Sequence, residues 1–175
     1  MGLTPLPLSQ LKLTVQRVAP HADSPATLPV LIYHNVFPTG TPPSALEAHM
    51  RGNGYEPQWR YGMYPFSHFH TTTYEVLAVY SGRATCQFGG DGNPGAVRMQ
   101  VQEGDVVILP PGLAHKGVEM PSGFMMVGSY PMGYHWDEKR RGQKGFEDKI
   151  RGVSGLVKDP VYGEEGPALE HLGGK

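Results

Sequence analysis

The sequence predicts an all-β protein, an antiparallel sandwich or barrel of short strands. Between Gly62 and Tyr130, strand-like runs alternate with turn signals, and nothing there has helical period. Glycine and proline are abundant, 24 and 17 residues, with no collagen period and no low-complexity tract, so they read as turn punctuation. No internal repeat is visible. At 175 residues the chain reads as a single domain, large enough to bury a core without staples.

Taken in order, Leu11 to Val18 alternates apolar and polar residues, the pattern of a half-buried strand. Residues 19–29 carry three prolines and read as a linker. Val30 to Phe37 is a second strand, ended by Pro38 and the turn-rich stretch Gly40 to Pro43. Ser44 followed three residues later by Glu47 forms a capping box, and Gly52 is a natural stop, so a short helix is expected at about 45–51. Strands follow at 64–70, 74–81, 83–88, 96–102, 105–109, 114–119 and 123–130, with Gly89 to Gly95 as a hairpin connection. Residues 135–175 are polar and glycine-rich, with a basic cluster at Lys139, Arg140, Arg141 and Lys144. A C-terminal arm with little regular structure is expected there, with a short helix near 143–151. The basic cluster reads as solvated surface.

Composition excludes several functions. A net charge of −1 gives no field for nucleic acid or an anionic membrane. The single Cys86 allows no intramolecular disulfide and fits a reducing compartment. The N-terminus lacks a basic segment followed by an apolar one, and Met1-Gly2 is followed by Leu6 where myristoylation wants Ser or Thr. No apolar run approaches bilayer length. A soluble, cytoplasmic protein is expected.

The chemistry-bearing residues are His68, His70, Glu75 and His115. His68 and His70 are an i, i+2 pair, which on a strand points to one side. Glu75 follows five residues later, an odd step, so Thr71 to Thr73 must turn the chain for it to face back. His115 comes after a second turn, Pro110-Pro111-Gly112. Three imidazoles and a carboxylate suit Mn, Fe, Ni, Co or Zn, not Ca or Mg, which prefer oxygen shells. Four protein ligands leave one or two positions open for water, dioxygen or a chelating substrate.

These residues sit inside two motifs. The first runs Gly62, His68, His70, Glu75, Gly82, and the second Gly104, Pro110, Gly112, His115. In order and spacing they resemble the two cupin motifs, with the resemblance specific over about residues 55–130. Where the second motif often closes with Asn, Glu119 stands here; that Asn is not a ligand in the family. Leu28 to His34, Phe88-Gly89-Gly90, Tyr130 to Gly133 and Asp159 to Gly163 further resemble the YjlB-like bacterial cupins, a group that brings no assigned activity. The resemblance implies a double-stranded β-helix, or jelly-roll barrel, with one or two short helices. Residues 1–54 and 131–175 would form N- and C-terminal arms around it. It also implies a His3Glu metal centre inside the barrel and a homodimer made by lending the strand at 11–18.

Gly62, Gly82, Gly104, Pro110 and Gly112 read as structural turns. By parity with the ligands, Tyr64, Phe66, Leu77 and Val79 are candidate pocket walls, while Tyr74 and Lys116 should point away. Plain core packing would explain these wall positions equally well. Cys86 reads as a small buried hydrophobe. His34, His49 and His135 lie outside the motifs, and His21 and His171 sit in exposed-looking segments. Trp59 and Trp136 would cap the barrel or sit at a subunit contact. By resemblance the function is that of a small-molecule metalloenzyme, with dioxygenase-like oxidation ahead of metal-dependent isomerisation. The alternative from another class is a non-catalytic cupin module that captures a small ligand or metal.

Overall fold

A computed structural model describes residues 2–174; the expectation drawn from Met1 lies outside them. Two antiparallel sheets face one another. The larger combines β1 (Lys12–Gln16), β2 (Val30–His34), β3 (Tyr55–Tyr61), β5 (Glu75–Ser81), β8 (Val106–Leu109) and β10 (Met125–Pro131), in the order β1-β2-β8-β5-β10-β3. The smaller combines β4 (His68–Phe69), β6 (Arg83–Phe88), β7 (Val97–Gln102), β9 (His115–Glu119) and β11 (Lys139–Arg140), in the order β11-β4-β9-β6-β7. From β4 to β11 the chain passes repeatedly between the sheets at turns, the path of a jelly roll. The sheets stay separate, so the expected barrel is a sandwich without closure.

Two turns expected from the sequence make such crossings. Gly82 lies between β5 and β6 with φ +71°, and Gly112 lies between β8 and β9 with φ +86°. Both conformations suit glycine. Gly104 likewise has a positive φ, but Gly62 does not, so its place is not explained by a left-handed turn.

The central strands of the larger sheet are buried on both faces. Val30, Ile32, Leu77, Val79, Val107 and Leu109 meet Ala84, Cys86, Phe88 and Val101 of the smaller sheet. On the opposite face, Leu31, Tyr33, Val76, Ala78, Val106 and Ile108 pack under α1 (Pro43–Gly52) and the C-terminal segment. This explains the unbroken apolar run of β2, since a strand covered on both sides has no face left for polar residues.

Three expectations change. First, α1 starts at Pro43 with Pro42 as its cap residue and no side-chain capping bond, so Ser44 lies within the helix. Proline in the first turn initiates it instead. Second, the expected strand at 64–70 reduces to β4, while β3 forms at Tyr55–Tyr61, where no strand was expected. Pro57 is tolerated because β3 is an edge strand and the β10 register shifts beside it, between Gly128 and Ser129. Third, the C-terminal arm carries α2 (Glu147–Arg151) and α3 (Pro167–Leu172), and Leu156, Val161, Ala168 and Leu172 are part of the second core. β1 pairs with β2 of its own chain, and its other edge is open. Among the described residues, no helix is long and apolar enough to cross a membrane.

Candidate metal centre

Each candidate ligand is placed by a different piece of the fold. His68 on β4 pairs directly across from His115 on β9, which brings their ring centroids to 4.2 Å. His70 follows β4, and the bend at Thr71-Thr72 then carries the chain to the other sheet, where Glu75 opens β5. The turn expected between His70 and Glu75 is therefore a crossing between sheets. Gly112 N–H donates to His70 O at 2.7 Å, tying the two motif turns together.

All four side chains are buried. One ligand atom from each of His68, His70 and His115 lies within 4.8 Å of the others. Glu75 Oε2 sits 3.2 Å from His70 Nε2 and 3.0 Å from His115 Nε2. Donors held about 2.1 Å from one ion stand about 3 Å apart when their bonds are perpendicular, so these separations suit neighbouring positions of one coordination shell.

The orientation of the rings is the more telling feature. His68 Nδ1 is 3.1 Å from Phe66 O, His70 Nδ1 is 2.5 Å from Asp137 O, and His115 Nδ1 is 3.0 Å from Leu113 O. A carbonyl only accepts, so each Nδ1 carries the proton and donates it. In the neutral ring each Nε2 then offers a lone pair to the centre. The donor set therefore fits a divalent transition metal.

The local charges fit as well. Burial, followed by the neighbouring His115, lowers the pKa of His68 to about 3, which keeps that ring neutral. Burial also opposes charge on His70, but Glu75, together with the carbonyl of Asp137, outweighs it and raises the pKa to about 9. Glu75 is held well below the usual carboxylate range: burial opposes ionisation, and His70 and His115 overcome it. Glu75 is thus the ionised partner of the cluster.

A cavity of about 260 Å³ opens above these groups. Tyr64 and Leu77 line it as expected, together with Trp59, Met63, Met126, Tyr130 and Trp136. Phe66 and Val79 do not. Residues 62–67 form no strand, so parity with His68 fails there; Phe66 stacks on the outside of Tyr64 at 4.8 Å, with Arg140 over its face. Val79 packs between the sheets. Tyr74 does point away from the site, into the second core, and Lys116 is drawn to Asp91. Gly62 also lines the cavity.

Sequence reasoning left several contributors unassigned. Tyr130 O–H donates to Glu75 Oε1 at 2.7 Å and accepts from Trp59 Nε1 at 2.7 Å, so it leaves Oε2 as the oxygen that faces the histidines. Trp59 lies over Gly128, where a Cβ would come within 2.1 Å of the indole. Asp137 accepts from Thr71 N and Thr72 Oγ1 and bonds Thr71 Oγ1, while its carbonyl holds His70. A tyrosine at the end of a strand and an acidic residue in a polar arm carry no period that would reveal these contacts. His34 and His49 are held elsewhere, by Thr14 Oγ1 and Val161 O. Cys86 is buried and its thiol is pushed up to about 12, matching an inert core position.

No family model matches the chain. It is 29% identical over 158 residues to the uncharacterised protein YjlB of Bacillus subtilis, covering 88% of this chain and 89% of that protein. Among solved structures it is similar to RmlC from Streptococcus suis, with a TM-score of 0.39, 11% identity and 72% of each chain covered. It is also similar to oxalate decarboxylase from Bacillus subtilis, with a TM-score of 0.37 and 16% identity over 79% of this chain. The chain spans 30% of that decarboxylase and 22% of the storage globulin procruciferin from Brassica napus. With both motifs meeting between two sheets along a jelly-roll path, the chain has the architecture its motifs predicted and is similar along most of its length to YjlB.

Proposed function

We propose that His68, His70, Glu75 and His115 hold one divalent transition ion, Mn, Fe, Ni, Co or Zn, and that the chain is a small-molecule metalloenzyme. The observation that carries this reading is the shared ring orientation, with three protonated Nδ1 atoms on backbone carbonyls and three Nε2 atoms turned to one point. Such an ion would act as a Lewis acid or redox centre for a substrate at its open positions. The chain's own part is to fix the rings, exclude water with the aromatic walls, and hold one Glu75 oxygen through Tyr130. Dioxygenase-like oxidation is the reaction class we favour. Among the described residues Arg60 is the one Lys or Arg lining the cavity, and it is tied to Glu47, which speaks against sugar-phosphate isomerisation.

Elemental analysis of protein purified without an affinity tag tests the centre, alongside His68→Ala and Glu75→Ala. Stoichiometric metal in the wild type, lost in both folded variants, is the expected result; equal metal content in all three would remove the site. Oxygen consumption across a substrate panel then separates an enzyme from a module that only captures a ligand. A homodimer through the open edge of β1, where Leu13 and Val15 are exposed, belongs to the same proposal. Light scattering should give twice the chain mass, and a concentration-independent monomer would exclude it.

A further inference from the structure

We infer that the cavity above the metal centre selects a planar, one-ring molecule with a single anionic end, and rejects ligands that bring a second charged group. This inference rests on the metal-centre reading, because the charged end is the part that would meet the ion.

The cavity is small. Its volume of about 260 Å³ equals the liquid volume of roughly nine waters, enough for one ring and its substituents. Its walls are Trp59, Met63, Tyr64, Leu77, Met126 and Trp136, which offer flat faces and soft apolar surface. At the mouth, large aromatic side chains stay open to solvent: Tyr61 is 57% exposed and Trp136 is 40% exposed. An exposed aromatic rim above an apolar cavity is a surface that a flat ligand would cover.

Two polar groups on the inner wall and the cation of the lining are already committed, which leaves the Tyr61 and Tyr64 hydroxyls and the Trp136 N–H as neutral donors. Tyr130 O–H is donated to Glu75, and Trp59 N–H is donated to Tyr130. Among the described residues Arg60 is the only Lys or Arg in the lining, and its Nε–H donates to Glu47 Oε1 at 2.7 Å, with Nη2 on the same oxygen. Glu47 lies on α1 outside the cavity lining and cancels the charge that a phosphate or second carboxylate would need. A charge entering this cavity away from the ion would lose its water and meet neutral donors but no free cation.

Both tryptophans of the chain, Trp59 and Trp136, line the cavity, so intrinsic fluorescence reads its occupancy. The full-length chain is titrated with benzoate, with terephthalate (the same ring with a second carboxylate opposite the first) and with glucose 6-phosphate. Saturable quenching by benzoate, at least about tenfold tighter than by either of the others, is expected from the cost of an unpaired buried charge. Glu47→Gln keeps the shape of α1 and releases Arg60, so terephthalate should bind about tenfold more tightly than to the wild type while benzoate is unchanged. The inference is overturned by absence of benzoate quenching, by terephthalate or sugar phosphate binding as well as benzoate, or by a Glu47→Gln variant that discriminates as the wild type does. Metal content measured on the same samples keeps the two readings apart. A metal-free chain that still prefers benzoate would remove the centre and keep the selectivity, and a metal-loaded chain without the preference would do the reverse.

Discussion

A histidine binds metal only when one ring nitrogen is free of its proton, and this site decides which nitrogen that is. Phe66, Asp137 and Leu113 each supply a carbonyl to an Nδ1–H, leaving Nε2 for the centre. The clustering of His68, His70, Glu75 and His115 was legible in the sequence because their spacing follows from strand pairing and turns. The carbonyl partners were not, since any residue can supply one. Charge at the site leads to a pH dependence. Without metal, Glu75 keeps His70 protonated to about pH 9, so an incoming ion must displace that proton. The sign follows directly: protons compete with metal, and apparent affinity rises with pH. Between neutrality and pH 9 it should climb by about tenfold per unit and then level off. Competition titrations with a metal-binding dye at several pH values measure this, and a flat profile across that range would show that His70 is not a ligand. Below neutrality the same competition at His70 continues, so the ion should be held ever more weakly as pH falls.

At the scale of elements, what the sequence reveals depends on how a segment is buried. The strands between the sheets alternate or run apolar, and their positions were read to within a residue or two: β5, β6 and β9 lie where 74–81, 83–88 and 114–119 were expected. The C-terminal segment was read as a loose arm because its apolar residues are sparse and without period. Asp159 supplies the missing order. Its Oδ1 accepts from Val161 N at 2.8 Å and Tyr162 N at 3.0 Å, and its Oδ2 accepts from Tyr33 O–H at 2.5 Å and Ala168 N at 3.1 Å. One fully buried carboxylate thus fastens the start of α3 and the turn after Lys158 to β2. Asp159→Asn keeps the volume but puts an amide donor against two donors, which should cost about 2–4 kcal/mol. Urea unfolding measures the loss, and limited proteolysis should find new cleavage after residue 152. Wild-type stability in this variant would mean that the C-terminal segment is not part of the cooperative unit.

For the whole molecule, the centre stands where the two sheets could be joined by one ion. Glu75 belongs to the larger sheet, whereas His68 and His115 belong to the smaller, with His70 at the crossing between them. Between the sheets at this end the side chains are polar and leave the cavity open, while the apolar contacts of Leu77, Phe88 and Leu109 lie in the core beside it. Without an ion Glu75 and His70 form a buried pair that keeps the site from collapsing, and a bound ion would add a bond between the sheets. Binding to the folded state alone stabilises by about 2.7 kcal/mol when free metal exceeds its dissociation constant a hundredfold. For a chain of this size that is roughly 5–10 °C in Tm. Chelation followed by dialysis should therefore lower the unfolding temperature by that amount, and returning the metal should restore it. Glu75→Ala separates this linkage from general damage: the variant should unfold at one temperature with or without metal. If its Tm still rises on metal addition as the wild type's does, the ion binds elsewhere and the sheets are joined by packing alone.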